Sequence, residues 1–236
     1  MATKQAPTRQ AITLKGSTVI VTDFFKFAVN TILYQRGVYP ADDFHLVKKY
    51  GQVVMLTQDL ALENYLDNAN IKQMIEWLLT GSVTQLVLAI ISKDSRTTLE
   101  RWVFDVHLQN PPTSTDDPAP YVSLLWISNR LPLNMLAFEC DCFCRASTKP
   151  ESQIQAEIRD ILKQIVSTVT FLPTMDEPTV FNILAYTSES ADVPAGEWVD
   201  TDPLAIEASK SQQVRLRSFS TDVHRVEAMV AYRYEG

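Results

Sequence analysis

Val83-Thr84-Gln85-Leu86-Val87-Leu88-Ala89-Ile90-Ile91-Ser92 is apolar at odd and even positions alike from Leu86 to Ile91. Strand side chains alternate between two faces, so a run without alternation predicts a strand covered on both sides. Turn-prone Lys93 to Ser95 follow it, and Leu99 to Leu108 reads as a second strand. Upstream, Phe24, Phe25, Phe27, Ala28, Ile32 and Leu33 recur at three- and four-residue spacing, which predicts a helix with Ser17 as its N-cap. Gly37 and Pro40 end it. A hairpin is expected from Phe44 to Leu56 around Gly51, then a second helix from Asp59 to Leu79 closed by Gly81. Downstream, Ile154, Ile158, Ile161, Leu162, Ile165 and Val169 trace a third helical face that begins near Glu151 and stops before Pro173. Pro178 to Thr187, Gln213 to Ser220 and Val223 to Tyr234 read as strands, and the apolar phase slips between Leu216 and Phe219, which predicts a bulge. Three long helices, five to seven strands and no βαβ repeat make an α+β fold.

At 236 residues the chain is long enough to bury a core without disulfides, and its 46% hydrophobic and 21% charged content is ordinary for a globular protein. A net charge of -7 excludes a global basic footprint for nucleic acid. Residues 1–10 are polar and read as a flexible tail without a signal-peptide h-region. The apolar stretch from Tyr121 to Phe138 is interrupted by Asn129, Arg130, Pro132 and Asn134, so it does not read as a membrane span, and a soluble intracellular chain is expected. Cys140, Cys142 and Cys144 are too close together for a disulfide framework and lack a fourth ligand for a metal, so free thiols in a loop are expected.

No glycine-rich phosphate loop, G-x-S-x-G elbow or H-E-x-x-H motif is present, and His45, His107 and His224 lie far apart in sequence. An enzyme is not expected, nor a cofactor. Asp105 and His107 share a strand face, which reads as a polar face before it reads as an acid–base pair. Asp42 and Asp43 read as a solvated turn. Val214-Arg215-Leu216-Arg217-Ser218-Phe219 alternates apolar with basic residues. It suits either two guanidinium groups offered to a partner carboxylate or an edge strand protected by charge.

Four ordered segments carry a resemblance. They are Ile32-Leu33-Tyr34-Gln35-Arg36-Gly37-Val38-Tyr39-Pro40, Leu99-Glu100-Arg101-Trp102-Val103-Phe104-Asp105, Thr168-Val169-Thr170-Phe171-Leu172-Pro173, and Val214 to Phe219 followed by His224, Val226 and Met229-Val230-Ala231-Tyr232. Over about residues 11–108 and 151–234 the chain resembles the spindle-checkpoint members of the HORMA family. The resemblance implies a single domain over 11–236, with three long helices packed on a mainly antiparallel sheet and a mobile C-terminal safety belt over 187–236. Residues 110–150 form an atypical insertion. Within it 118–148 have no counterpart and read as a lineage-specific disordered loop or translated intron sequence.

The same resemblance implies a non-enzymatic signalling protein that switches between open and closed conformers. It would entrap a closure-motif peptide and so delay anaphase. The peptide would come from the kinetochore-bound coiled-coil checkpoint receptor or the activator of the anaphase-promoting complex. Another HORMA adaptor, a translesion polymerase subunit or a meiotic axis protein, is the alternative. By analogy the peptide meets Ile183, Ala185 and Tyr186 on a receiving strand, Trp198 in the belt, and Val230 and Tyr232 in the final strand. Ordinary core burial suits each of these residues equally. Lys163, Gln164, Phe171 and Arg217 match a dimer surface, although Lys163 stands where well-known members carry arginine and cannot reproduce its planar fork. Leu14 would act in the conformational switch, its truncation favouring the open form. An AAA+ remodelling ATPase with its adaptor is a further implied partner, no membrane or nucleic acid is, and nucleus, kinetochore and cytoplasm are the implied locations.

Overall fold

The computed structural model describes residues 12–109, 149–194 and 198–234, so the expectations for the N-terminal tail, the insertion and its cysteines lie outside the described residues. The order is α1 (Leu14–Gln35), β1 (Phe44–Lys49), β2 (Gln52–Thr57), α2 (Leu60–Asn64), α3 (Lys72–Thr80), β3 (Val83–Ser92) and β4 (Thr98–Leu108). It continues with α4 (Glu151–Thr168), β5 (Thr179–Thr187), β6 (Ser211–Ser220) and β7 (His224–Arg233). β1 and β2 form a separate hairpin, and the others make one five-stranded antiparallel sheet in the order β5-β3-β4-β7-β6. This is the α+β architecture that the two periodicities predict.

α1 starts earlier than its apolar face suggests. Thr13 is the N-cap, its Oγ1 accepting from Gly16 N at 3.1 Å. Ser17, the expected cap, is inside the helix and fully buried, held by tertiary partners. The second helix does begin behind Asp59, whose Oδ1 caps Leu62 N at 2.7 Å, but it is not continuous. A π-helical segment over Tyr65–Ile71 divides α2 from α3. Asp67 of this segment pairs with Lys26 of α1 at 2.8 Å.

Between helices and sheet lies the main core. Phe24 and Phe25 of α1 meet Phe104 of β4 edge-on at 5.8 and 5.6 Å, and Phe24 meets Phe219 of β6 at 4.9 Å. Ile154, Ile158, Ile161, Leu162 and Ile165 of α4 have no exposed surface. Burying each such side chain contributes about 1.5–3 kcal/mol. The expected bulge is present, as a break in the β6–β7 register between Arg215 and Ser218. Gln164 Oε1 on α4 accepts from the freed Arg217 N at 2.6 Å, so the helix satisfies the donor that the ladder drops.

The sheet's opposite face carries a smaller cluster of Val87, Ala89, Ile91, Val103 and Leu184. Together the two clusters enclose β3 on both sides, which accounts for its unbroken apolar run. No helix among the described residues is long and apolar enough to cross a membrane.

Candidate functional site

β5 ends the sheet and pairs only with β3 among the described residues. Two bonds fix which of its backbone groups that pairing uses: Lys93 N donates to Pro178 O, and Ser188 N donates to Ser82 O, both at 2.8 Å. A strand presents successive residues' N–H and C=O groups to alternate sides. Even-numbered positions of β5 therefore face β3, and Phe181, Ile183 and Ala185 turn their main-chain donors and acceptors to the unpaired edge. An apolar edge of this kind is a template for another strand.

Two recesses run along that edge. One, of about 600 Å³, lies between residues 179–182 and Val38, Tyr39, Asp59, Leu62 and Tyr65. Phe181 sits there with Tyr39 and Tyr65 edge-on at 6.0 and 5.7 Å. The other, of about 330 Å³, is enclosed between residues 183–187 and the segment Trp198, Val199, Asp200, Thr201 and Pro203. This crossing segment is fastened at its start. Trp77 Nε1 donates to Asp192 O at 2.9 Å, and the Trp77 and Trp198 rings meet at 5.0 Å. The Trp198 indole N–H is buried without an acceptor among the described residues, which is costly unless an incoming group supplies one. On the sheet's other face Tyr186 OH accepts from Arg101 Nη2 at 2.6 Å.

The C-terminal hairpin is pinned beside β4, away from β5. β7 pairs with β4 from Glu100↔Tyr232 to Leu108↔His224. Ser17 Oγ of α1 lies 2.6 Å from Thr221 Oγ1 and 2.7 Å from His224 Nδ1, all buried. Lys149 Nζ donates to Ser220 O at 2.9 Å and pairs with Glu157 of α4. Burial lowers the His224 pKa from its ordinary value of 6.5, only partly opposed by a hydrogen bond to Leu78 O. A histidine that resists protonation when folded supports the fold above its unfolded pKa and withdraws that support as pH falls. The stability that His224 contributes is therefore expected to decline from about pH 6.5 downward. In His224→Gln the pH-dependent part of that decline should shrink, as urea denaturation at pH 7.5 and 5.5 would read.

The HORMA-domain family profile matches residues 17–224. The chain belongs to the HORMA family. Its place within the family is set by relatives that match nearly end to end. The "Mitotic spindle assembly checkpoint protein MAD2A" of Dictyostelium discoideum is 43% identical, over 94% of this chain and 93% of its own length. The protein of the same name from Homo sapiens is 39% identical, over 97% and 96%. Among solved structures, a chain of the mitotic checkpoint complex superposes with a TM-score of 0.73 at 34% identity, covering 92% of this chain and 99% of its own. This HORMA protein thus sits in the spindle-assembly-checkpoint branch.

The HORMA fold gathers Ile183, Ala185, Tyr186 and Trp198 around one recess. Ile183 and Ala185 offer backbone to the free edge while their side chains join the main core, and Tyr186 points to the opposite face. Val230 and Tyr232 lie in β7, on the other side of the sheet's centre from that recess. β7 is separated from β5 by β3 and β4, Val230 is fully buried in the core, and Tyr232 OH donates to Gln212 Oε1 at 2.7 Å. Gln164 and Arg217 do meet, and Arg217 Nη1 reaches Asp160 Oδ2 at 2.7 Å. Lys163 is exposed one residue away on α4, and Phe171 is 49% exposed beyond its end. Leu14 is 38% exposed in the first turn of α1, whereas Ile12, just before the helix, packs against the core. Asp105 accepts from Gln85 Nε2 at 2.7 Å, which makes it a partner across the sheet, not half of an acid–base pair. The strand reading covers Phe181, but the recess it forms with Tyr39 and Tyr65 carried no signal in the sequence, because those residues are far apart along the chain.

Proposed function

We propose that this spindle-checkpoint protein captures a short extended peptide as an additional strand on β5 and encloses it beneath a belt that includes residues 188–194 and 198–210. The observation that carries the reading is the unpaired β5 edge. Its free donors and acceptors at Ile183 and Ala185 open into a channel roofed by residues 198–203, and those of Phe181 into the neighbouring aromatic recess. Backbone pairing would give affinity and the two recesses side-chain preference. Trp198 Nε1–H supports the same reading, as a donor awaiting a carbonyl. The belt carries Glu189, Asp192, Asp200, Asp202 and Glu207 against Lys210 alone among the described residues, so a basic and apolar ligand complements it.

The ligands on this reading are closure peptides of the kinetochore-bound coiled-coil receptor and of the anaphase-promoting-complex activator, and holding the activator delays anaphase. The protein acts by binding, without catalysis, in the nucleus and cytoplasm and at kinetochores. With β6 and β7 beside β4, β5 is free. A second arrangement of the tail over the β5 edge would close it, and an AAA+ ATPase with its adaptor would return the protein to that form. Self-association would use α4 and β6 through Lys163, Gln164, Phe171 and Arg217, and Lys163→Glu is expected to convert dimer to monomer by light scattering.

Dissociation of fluorescent receptor and activator peptides, chased with unlabelled peptide, tests the capture reading. A strand under a closed belt leaves only when the belt opens, so release over minutes or longer is expected. Release within milliseconds, or no binding of either peptide, would refute it.

A further inference from the structure

Val87 and Ala89 have no exposed surface and Val103 has 1%, yet all three belong to the face of the sheet opposite the helices. Tyr186 of β5 and Met229 of β7 pack against the cluster from within the sheet. Among the described residues, the apolar side chain packed on it from outside the sheet is Leu204. Leu204 belongs to the stretch between the channel roof and β6, and it is the point where that stretch touches down.

Its backbone is unusual as well. Leu204 has φ of 47°, in the left-handed region that suits glycine and penalises a leucine. Such a conformation persists only where the surroundings impose it. Its flanks do not: Thr201, Asp202, Pro203 and Ala205 are exposed, and Val199 is 86% exposed. Pro203 holds Asp202 extended up to the bend. What imposes the bend is the side chain's contact with the sheet, at the expense of local strain. The roof over the channel is thus fastened at two ends, by Trp198 on Trp77 and by Leu204 on the Val87–Val103 cluster.

We propose that Leu204 is the buckle of the belt, a positioning residue that sets how often the roof opens and so how fast a peptide enters and leaves. This rests on the capture of a peptide under residues 198–203. Leu204 lies outside the residues that line the channel, and on this proposal it holds the sheet alike whether the channel is empty or filled. Weakening a contact common to both states raises the opening frequency in both. Association and dissociation then accelerate by the same factor while Kd stays fixed, which no residue touching the ligand would produce.

Leu204→Asn tests this, because asparagine tolerates the left-handed backbone and removes the apolar contact. Leu204→Met keeps the contact and serves as the conservative control. Stopped-flow association and chase dissociation would be measured with the labelled activator peptide on the full chain. Both rate constants are expected to rise about tenfold in Leu204→Asn, the factor that a partly buried leucine is worth, with Kd unchanged within about twofold. Leu204→Met should stay near the unsubstituted protein. Unchanged rates in a folded Leu204→Asn, judged by retained exchange protection of β4 and β7, would overturn the proposal. So would faster release with weaker Kd and unchanged association, which would make Leu204 a ligand contact. Millisecond release from the unsubstituted protein would instead remove the capture reading on which the buckle depends.

Discussion

Arg36→Met is expected to lower the unfolding free energy by about 3–5 kcal/mol, because it leaves a buried carboxylate without its partner. Arg36 caps the end of α1, and its Nη2 lies 2.5 Å from Glu100 Oε1 on β4 and donates to Pro173 O at 2.6 Å. Both side chains are nearly inaccessible, 5% and 3% exposed. Trp102 Nε1 donates to the other carboxylate oxygen at 3.1 Å. The pair joins the end of α1, the turn after α4 and the strand against which β7 lies.

Burial raises the Glu100 pKa above its ordinary 4.5, and the Arg36 charge and the hydrogen bonds from Arg36 and Trp102 pull it back only in part. An acid whose folded pKa is raised binds its proton more readily when folded, so stability falls as pH rises through that range. Without Arg36 the pKa climbs further and the penalty at neutral pH widens. The deficit of Arg36→Met should therefore be larger at pH 7 than at pH 5, and Arg36→Met with Glu100→Gln should recover much of it. Urea denaturation of the three proteins at both pH values measures this. A deficit independent of pH would mean that Glu100 is not held as a buried anion.

Trp77→Ala is the second large effect, expected at about 3–5 kcal/mol for a buried indole replaced by a cavity. Trp77 is 3% exposed, packs in the main core, and fastens the belt through Asp192 O and the Trp198 ring. Its loss should act unevenly. Amides of residues 198–206 should exchange faster than the global destabilisation explains, because their tether has gone as well as part of the core. Equal loss of protection in the belt and in β4 would show that Trp77 stabilises the core alone.

The sequence patterns were legible where one force dominates. The double-sided run of β3, the α4 stripe and the phase slip in β6 each reflect burial, and burial leaves a period. They misplaced what depends on partners from elsewhere in the chain. Thr13 and Ser17 are both suitable caps, and only the pocket formed by Thr221 and His224 decides that Ser17 lies inside the helix. The π-helical segment over Tyr65–Ile71 keeps an apolar stripe that a continuous helix would also show. Strand order has no local signature, so the two strands that stand between β5 and β7 could not be read from the sequence. The channel residues came from family resemblance, and geometry narrowed them to those whose backbone faces the open edge. Leu204 sits in a polar stretch where a single apolar residue reads as incidental.

Hydrogen exchange of β5, resolved to single amides with and without an activator closure peptide, tests the central claim most directly. If a ligand strand is trapped on that edge, the amides of Phe181, Ile183 and Ala185 should gain protection that lasts as long as the peptide stays bound, while those of Asn182 and Leu184, already paired with β3, change little. Exchange at Phe181, Ile183 and Ala185 that is the same with bound peptide as without it would contradict the account.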